Sequence, residues 1–327
     1  MTHGTPLSRR QFALLSGAVL SGLSGAAQAQ AFPARPITLL VGFAPGGITD
    51  ALARMVAPLL SDELKQPVVI DNRAGASGSI ATALLAAAPK DGYTLGVISN
   101  GHGHNKLLIK GIHYDPVADF SVVGGIAQNP MVVLVQPSSP YRTMADLIAA
   151  GQRNGGLHYG HGGTGTLPHL LPELIARQHK TQWVDVPYRG SAPALVDLMA
   201  GQVAFVMDLL QTSLPYVEGG KLRAIAVTSK ARVSQLPNVP TLAEGVLPGV
   251  DAQGFYGILA PAGVPQDVLA KLQGALARAV RKPDFVDRLH AAGSTPITES
   301  PSEFMKFVAA DGKRWTDLIV ALGLQPA

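Results

Sequence analysis

Phe43-Ala-Pro-Gly-Gly-Ile-Thr-Asp50 and Tyr159-Gly-His-Gly-Gly-Thr-Gly-Thr-Leu-Pro-His169 are two glycine- and threonine-rich turns, each set between a short apolar run and a segment with helical spacing. A strand that ends in glycines and opens a helix points a row of backbone N–H groups and a helix N-terminus at one small space, which suits an anion. Gly46 and Gly47 permit turns closed to other residues, and Thr49 adds a hydroxyl. Asp50 fits a helix cap better than contact with an anion, which its charge would repel. As a bare pattern the first loop is equally an ordinary strand–helix turn. Two such loops far apart in the chain predict two lobes, each offering half of a grip for a carboxylate or phosphate.

The flanking segments alternate in type. Ile37–Val41 reads as a strand, and Leu52, Met55, Val56, Leu59 and Leu60 share one face of a helix starting near Thr49 or Asp50, with a bend expected at Pro58. Residues 67–70 and 93–99 read as strands around an alanine-rich helix at 77–88. This β-α-β-α-β order predicts a parallel, doubly wound sheet. Two β-branched runs within 120–136 are expected to carry the chain out of the first lobe.

The second half repeats the scheme: a strand at 157–160, a helix at 167–178 behind a Thr166 cap, then alternating segments at 183–187, 192–200, 203–207 and 222–228. A return strand at 253–259 precedes two closing helices, about 266–282 and 301–322. Ser300-Pro-Ser-Glu303 forms a capping box with proline in the first turn of the last helix, and Gly312 marks a candidate break in it. Crossings near 128–132 and 252–256 assign residues 32–128 plus 254–327 to lobe 1 and 129–253 to lobe 2.

The N-terminus reads as an export leader. Ser8-Arg9-Arg10-Gln11-Phe12 precedes a small-residue and apolar run to about Leu23, then overlapping small-x-small sites at Ala27, Ala29 and Ala31. Paired arginines before Phe12 point to the twin-arginine route, with a general secretory leader as the alternative. Residues 1–29 are assigned to the leader, and the mature chain begins near Gln30 or Phe32, which implies a periplasmic protein. With 26 basic and 22 acidic side chains, two of the basic ones in the leader, the mature chain is nearly balanced. That excludes a strong case for nucleic-acid or membrane-surface binding. The absence of cysteine removes disulfides, thiolate nucleophiles and cysteine-based zinc sites.

Three chemical readings compete with anion capture. Gly160-x-Gly162-x-x-Gly165, with Asp185 further on, satisfies a dinucleotide-binding pattern and raises an exported nicotinamide-dependent oxidoreductase as the alternative function. Against it, Asp185 runs into Pro187 rather than a clear strand end, and the first lobe lacks the pattern. His102, His104, His158 and His161 offer imidazoles for a metal, but strand and loop positions make their convergence unexpected. Gly-x-Ser-x-Gly is absent, and no catalytic set is found. The chain is therefore read as no enzyme, with no cofactor and no metal.

The combination resembles the periplasmic solute-binding receptors of tripartite tricarboxylate transporters, the TctC or Bug family. Besides the two loops, the resemblance rests on Phe32-Pro-Ala-Arg-Pro-Ile37, Asp71-Asn-Arg-Ala-Gly75, Pro89-Lys-Asp-Gly-Tyr-Thr-Leu95, Val186-Pro-Tyr-Arg-Gly-Ser191, Leu236-Pro-Asn-Val-Pro-Thr241 and Leu259-Ala-Pro-Ala-Gly263, in order across the whole mature chain. It implies an α/β, type II periplasmic binding-protein fold: two doubly wound lobes with a cleft and hinge between them. It also implies a small carboxylate ligand, capture by lobe closure, a monomer, and a transporter or sensory protein as partner. Carried over by position, Phe43, Ala44, Gly46, Gly47, Thr49 and Asp50 line one side. His161, Gly162, Gly163, Thr164 and Thr166 line the other, with Tyr188 and Asp208 nearby and His102 at the distal end. Ile48, His161, Gly162, Leu209 and Pro172 depart from the family pattern, which leaves the particular acid open between mono- and dicarboxylates.

Overall fold

The computed structural model describes Met1 and residues 32–324 apart from Asn154 and Arg189, so the leader assigned to residues 1–29 lies, beyond Met1, outside the described residues. The folded body begins at Arg35. Its first strand, β1 (Ile37–Val41), is aliphatic and buried except at the half-buried Thr38, as suits an inner strand of a covered sheet. In chain order follow α1 (Ile48–Leu64), β2 (Val68–Asn72), α2 (Ser79–Ala86), β3 (Thr94–Ser99), the short α3 (Asn105–Leu108), β4 (Phe120–Val135) and α4 (Met144–Gly151). Then come β5 (Leu157–His161), α5 (Leu167–His179), β6 (Trp183–Pro187), α6 (Ser191–Ala200), β7 (Phe205–Leu209), α7 (Leu210–Glu218) and β8 (Arg223–Val227). The chain closes with β9 (Gln253–Pro261), α8 (Gln266–Ala279), α9 (Pro283–Ala291), β10 (Thr295–Pro296) and α10 (Pro301–Leu322).

One sheet runs in the order β2-β1-β3-β9-β4-β7-β5-β6, with β8 and β10 also paired to β4. β1 lies parallel between β2 and β3, and β5 parallel between β6 and β7. These are the two wound units that the alternation predicts. The antiparallel middle, where β9 and β4 run against their neighbours, is not legible from that alternation.

β4 is a single strand of 16 residues rather than two runs. Up to Pro130 it pairs with β9, and from Met131 onward with β7 and β8. Proline has no N–H to give a ladder, and Pro130 stands where the strand changes partners. Beyond it Met131, Val133 and Val135 enter one core and Val132 and Leu134 the other, the period of two that a strand covered on both faces requires.

Several elements differ from the sequence reading. α1 runs unbroken through Pro58, and the helix expected over 266–282 ends at Ala279, with α9 starting at Pro283 behind Lys282. Gly312 does not break α10: a Cβ there would lie 3.0 Å from the Cα of Gly103, so the glycine serves a close approach to the turn at 100–103. α10 also packs on both halves of the sheet. Phe304 and Val308 join Leu40, Phe120 and Phe255, whereas Trp315, Leu318 and Ile319 complete the core around Tyr159, Leu170 and Phe205.

Candidate functional site

Both glycine loops leave the carboxyl ends of parallel strands, where an open α/β sheet leaves a crevice. In the first, Gly46 takes a left-handed φ of 91° with open space where a Cβ would stand, so conformation rather than crowding requires glycine. Gly47 caps α1 without a side-chain bond. Asp50 supplies the cap from inside the helix: its Oδ2 accepts the Gly46 N–H at 3.0 Å and Arg54 Nε–H at 2.8 Å. Its Oδ1 accepts Asn72 Nδ2–H at 2.9 Å, and the same amide donates to the Phe43 carbonyl at 3.0 Å. The Arg54 bond foremost, with the Gly46 and Asn72 donors, holds the Asp50 carboxyl down at about 2.

Thr49 and Asp50 are buried, and Asp50 holds the loop from below, in agreement with its reading as a helix cap rather than an anion contact. Ala44, Gly46 and Gly47 are exposed, and Phe43 is half-buried. The i,i+4 spacing of Asp50 and Arg54 was a readable signal for this brace. Asn72 was not, since it arrives through the β1–β2 register, opposite Val41.

In the second loop imidazoles do the corresponding work. Tyr159, His161 and Asp185 point to the sheet face covered by α5, which brings His169 and Glu173. His161 is fully buried, stacked on His169 with ring centroids 4.6 Å apart. The Gly163 N–H donates to His161 Nδ1 at 3.2 Å, and the Gly165 N–H to His169 Nδ1 at 3.0 Å. His161 Nε2 faces Asp185 Oδ2 at 3.4 Å, and the Tyr159 hydroxyl donates to Glu173 at 2.7 Å. Burial lowers His169 to about 4 and raises Glu173. Thr166 ties the loop on itself, its hydroxyl donating to the Gly163 carbonyl at 2.6 Å. Gly162 and Gly163 are half-buried, and Thr164 and Thr166 are exposed.

Tyr188 and Asp208 sit behind this loop rather than in it. The Tyr188 hydroxyl donates to Asp197 at 2.7 Å, and its ring lies against Gly160. Asp208, at the end of β7, accepts the hydroxyls of Ser191, Thr212 and Ser213 at 2.6–2.8 Å. Ser191 opens α6, and the Gly190–Ser191 turn packs on Gly162. Burial raises the Asp208 carboxyl.

His102 does not join either loop. It is 5 % exposed, wedged between Tyr114 and Phe120, and its Nε2–H donates to the Pro116 carbonyl at 2.7 Å. Burial lowers it to about 4. The sequence reading overlooked that aromatic neighbours would claim this ring for the core.

The histidines weighed for a metal do not converge, since His158 is exposed on the sheet face opposite His161. Among the described residues a different trio, His161, His169 and Asp185, has its ligand atoms within 4.8 Å of one another. Its polarity opposes a metal. Metal-bound histidines donate their second N–H outward, whereas here each Nδ1 accepts from a backbone N–H, which puts a proton on each Nε2. The same geometry weakens the dinucleotide pattern, because the acid needed for a ribose is set against His161. A cavity of about 320 Å³ opens elsewhere, between the turn at 229–235 and residues 290–295, and contains none of the loop residues. Among the described residues no helix is long and apolar enough to cross a membrane.

Two wound α/β units, each with a glycine loop at its strand ends, have the architecture of a periplasmic binding protein. Residues 52–324 match the model of the tripartite tricarboxylate transporter family receptor, and the chain belongs to that family. Protein BugT of Bordetella pertussis is 33% identical over 306 residues, covering 93% of this chain and 94% of BugT. Rpa4515 of R. palustris, solved with adipate, is 37% identical with a TM-score of 0.78, over 90% of this chain and 100% of that one. MatC of Rhodopseudomonas palustris, with bound malate, is 31% identical with a TM-score of 0.73, over 88% and 100%. The family is one of receptors rather than enzymes, and a TctC solute-binding protein from Polaromonas is 25% identical with a TM-score of 0.78, over 89% of this chain and 99% of that one.

Proposed function

We propose that this chain is an exported receptor that captures a small mono- or dicarboxylate between its two glycine loops. The two sheet halves act as lobes, 32–128 plus 254–327 and 129–253, and the closed form is handed to a tripartite-type membrane transporter or a sensory partner. The observation that carries this reading is the pair of strand–glycine–helix turns, braced from below by buried polar groups while Ala44, Gly46, Gly47, Thr164 and Thr166 stay accessible. Loops built this way present N–H groups to an anion without a charged side chain in contact. The adipate and malate held by two neighbours support the same ligand class here. Closure follows from differential affinity, since the anion gains its second set of donors only when both loops reach it.

A thermal-shift series of the mature chain against mono-, di- and tricarboxylates, with NAD and NADP included, tests this. An acid at hundredfold excess over its dissociation constant stabilises the fold by about 2.7 kcal/mol. Stabilisation confined to a dinucleotide, or to citrate-like triacids, would overturn the reading. The receptor is also proposed to be a periplasmic monomer with the leader removed; sequencing the N-terminus of the exported protein checks the cleavage.

A further inference from the structure

The segment 104–108 touches the supports of both loops. Asn105, 6 % exposed, donates through Nδ2 to the Ser77 carbonyl at 3.1 Å and to Ser79 Oγ at 3.3 Å. That turn presses on the base of the first loop: a Cβ at Gly78 would lie 3.2 Å from the Phe43 ring, and Gly42 meets Gly78 backbone to backbone. The next residue back, His104, is 2 % exposed, and its Nε2–H donates to the Gly165 carbonyl in the second loop at 3.2 Å. Leu108 fills the space where a Cβ on Gly165 would stand, and Leu107 and Leu108 pack on the core of the second half. The Gly165 peptide is thus held by one imidazole on each side, His104 at its carbonyl and His169 at its N–H.

Backbone strain falls in the same place. Four described residues other than glycine have a left-handed φ, and Lys65 and Lys180 are helix C-caps. The other two, Ala76 and Ser77, are adjacent and form the turn that Asn105 grips. Such conformations are strained and persist only where the surroundings enforce them. His104 Nδ1 is buried with no partner among the described residues, which is also a costly arrangement for a residue whose only role is to fill space.

We propose that His104 and Asn105 are positioning residues that couple the two loops, Asn105 fixing the support of the first and His104 holding the second at Gly165. Neither contacts the solute; together they keep the halves in register so that both loops reach one anion. The proposal rests on the carboxylate-receptor reading only for its ligand arm.

The chain has no cysteine, so Val69→Cys on β2 and Val184→Cys on β6, both exposed at opposite sheet edges, accept a pair of spin labels cleanly. In the ligand-free protein, His104→Phe keeps a ring but removes the donor, and a longer and broader interlabel distance is expected. His104→Gln restores an N–H and is expected to return the distance to that of the parent. An unchanged distance in His104→Phe overturns the proposal, and so does an equal change in both variants. If His104→Phe does not fold, Leu108→Ala takes its place: a lengthened distance supports the coupling and an unchanged one overturns it. In the ligand arm, adipate is expected to bind His104→Phe about tenfold more weakly and His104→Gln nearly as the parent does. Failure of the parent itself to bind adipate or any other carboxylate would count against the receptor reading, and the ligand-free distances would still decide this one.

Discussion

Asp50 places a carboxylate inside the first glycine loop without exposing it, because three donors engage its oxygens. Asp50→Asn keeps the shape and loses the charge that Arg54 and the Gly46 N–H answer. It is expected to cost about 1–3 kcal/mol in urea unfolding and to weaken carboxylate binding, although Asp50 carries the same sign as the ligand. A gain in affinity on removing this charge would show that Asp50 faces the solute after all. His169 makes a pH prediction. Its folded-state value near 4 lies below the 6.5 of an unfolded histidine, so its contribution is complete above about 6.5 and is lost as pH falls towards 4. His169→Asn still offers an acceptor to the Gly165 N–H but does not titrate. The stability gap between parent and variant will shift by about 3 kcal/mol against the parent from pH 7 to pH 4. His102 titrates with the same sign and stays in both proteins, so the difference isolates His169. Which residues form the loops was legible from glycine and threonine placement. Which of them face outward was not, because Asn72 reaches Asp50 from β2 and His169 reaches His161 from α5.

Among the elements, α10 carries two opposed demands at consecutive positions. Gly312→Ala would improve helix propensity by about 1 kcal/mol, but its Cβ would press on the Gly103 backbone, which has no flexible end to yield. The clash wins, and a lowered melting temperature is expected; a raised one would show that the turn at 100–103 moves freely. One position earlier, Asp311 accepts the Trp315 Nε1–H at 2.8 Å, and burial pushes its carboxyl up to about 6. A raised acid stabilises below its unfolded value near 3.8 and loses that contribution as pH rises through 6. Relative to Asp311→Asn, the parent will therefore lose about 2 kcal/mol between pH 4 and pH 7, the opposite direction to His169. Strands and most helices were legible from periodicity and caps, as the Ser300–Glu303 box shows. The breaks were misread where proline and glycine had tertiary reasons: Pro58 left α1 intact, and Gly312 marks a contact rather than an end.

For the whole molecule, β4 and β9 are the strands on which both halves depend, paired over nine registered positions and buried on almost every residue of β9. Their amides are expected to be the last to exchange in deuterium oxide, because opening them requires both cores to open. Exchange there as fast as at the β2 and β6 edges would show that the halves unfold separately. The two wound units were legible from strand–helix alternation; the antiparallel middle depends on a return strand more than a hundred positions downstream, a separation that local pattern does not encode.

The chain has two tryptophans, and both Trp183 and Trp315 belong to the core of the second half, one arriving early and one within the final helix. Indole fluorescence therefore reports on that core, with one probe on β6 and the other on α10. A change of emission on unfolding follows the second half of the molecule and is blind to the first, without any introduced label.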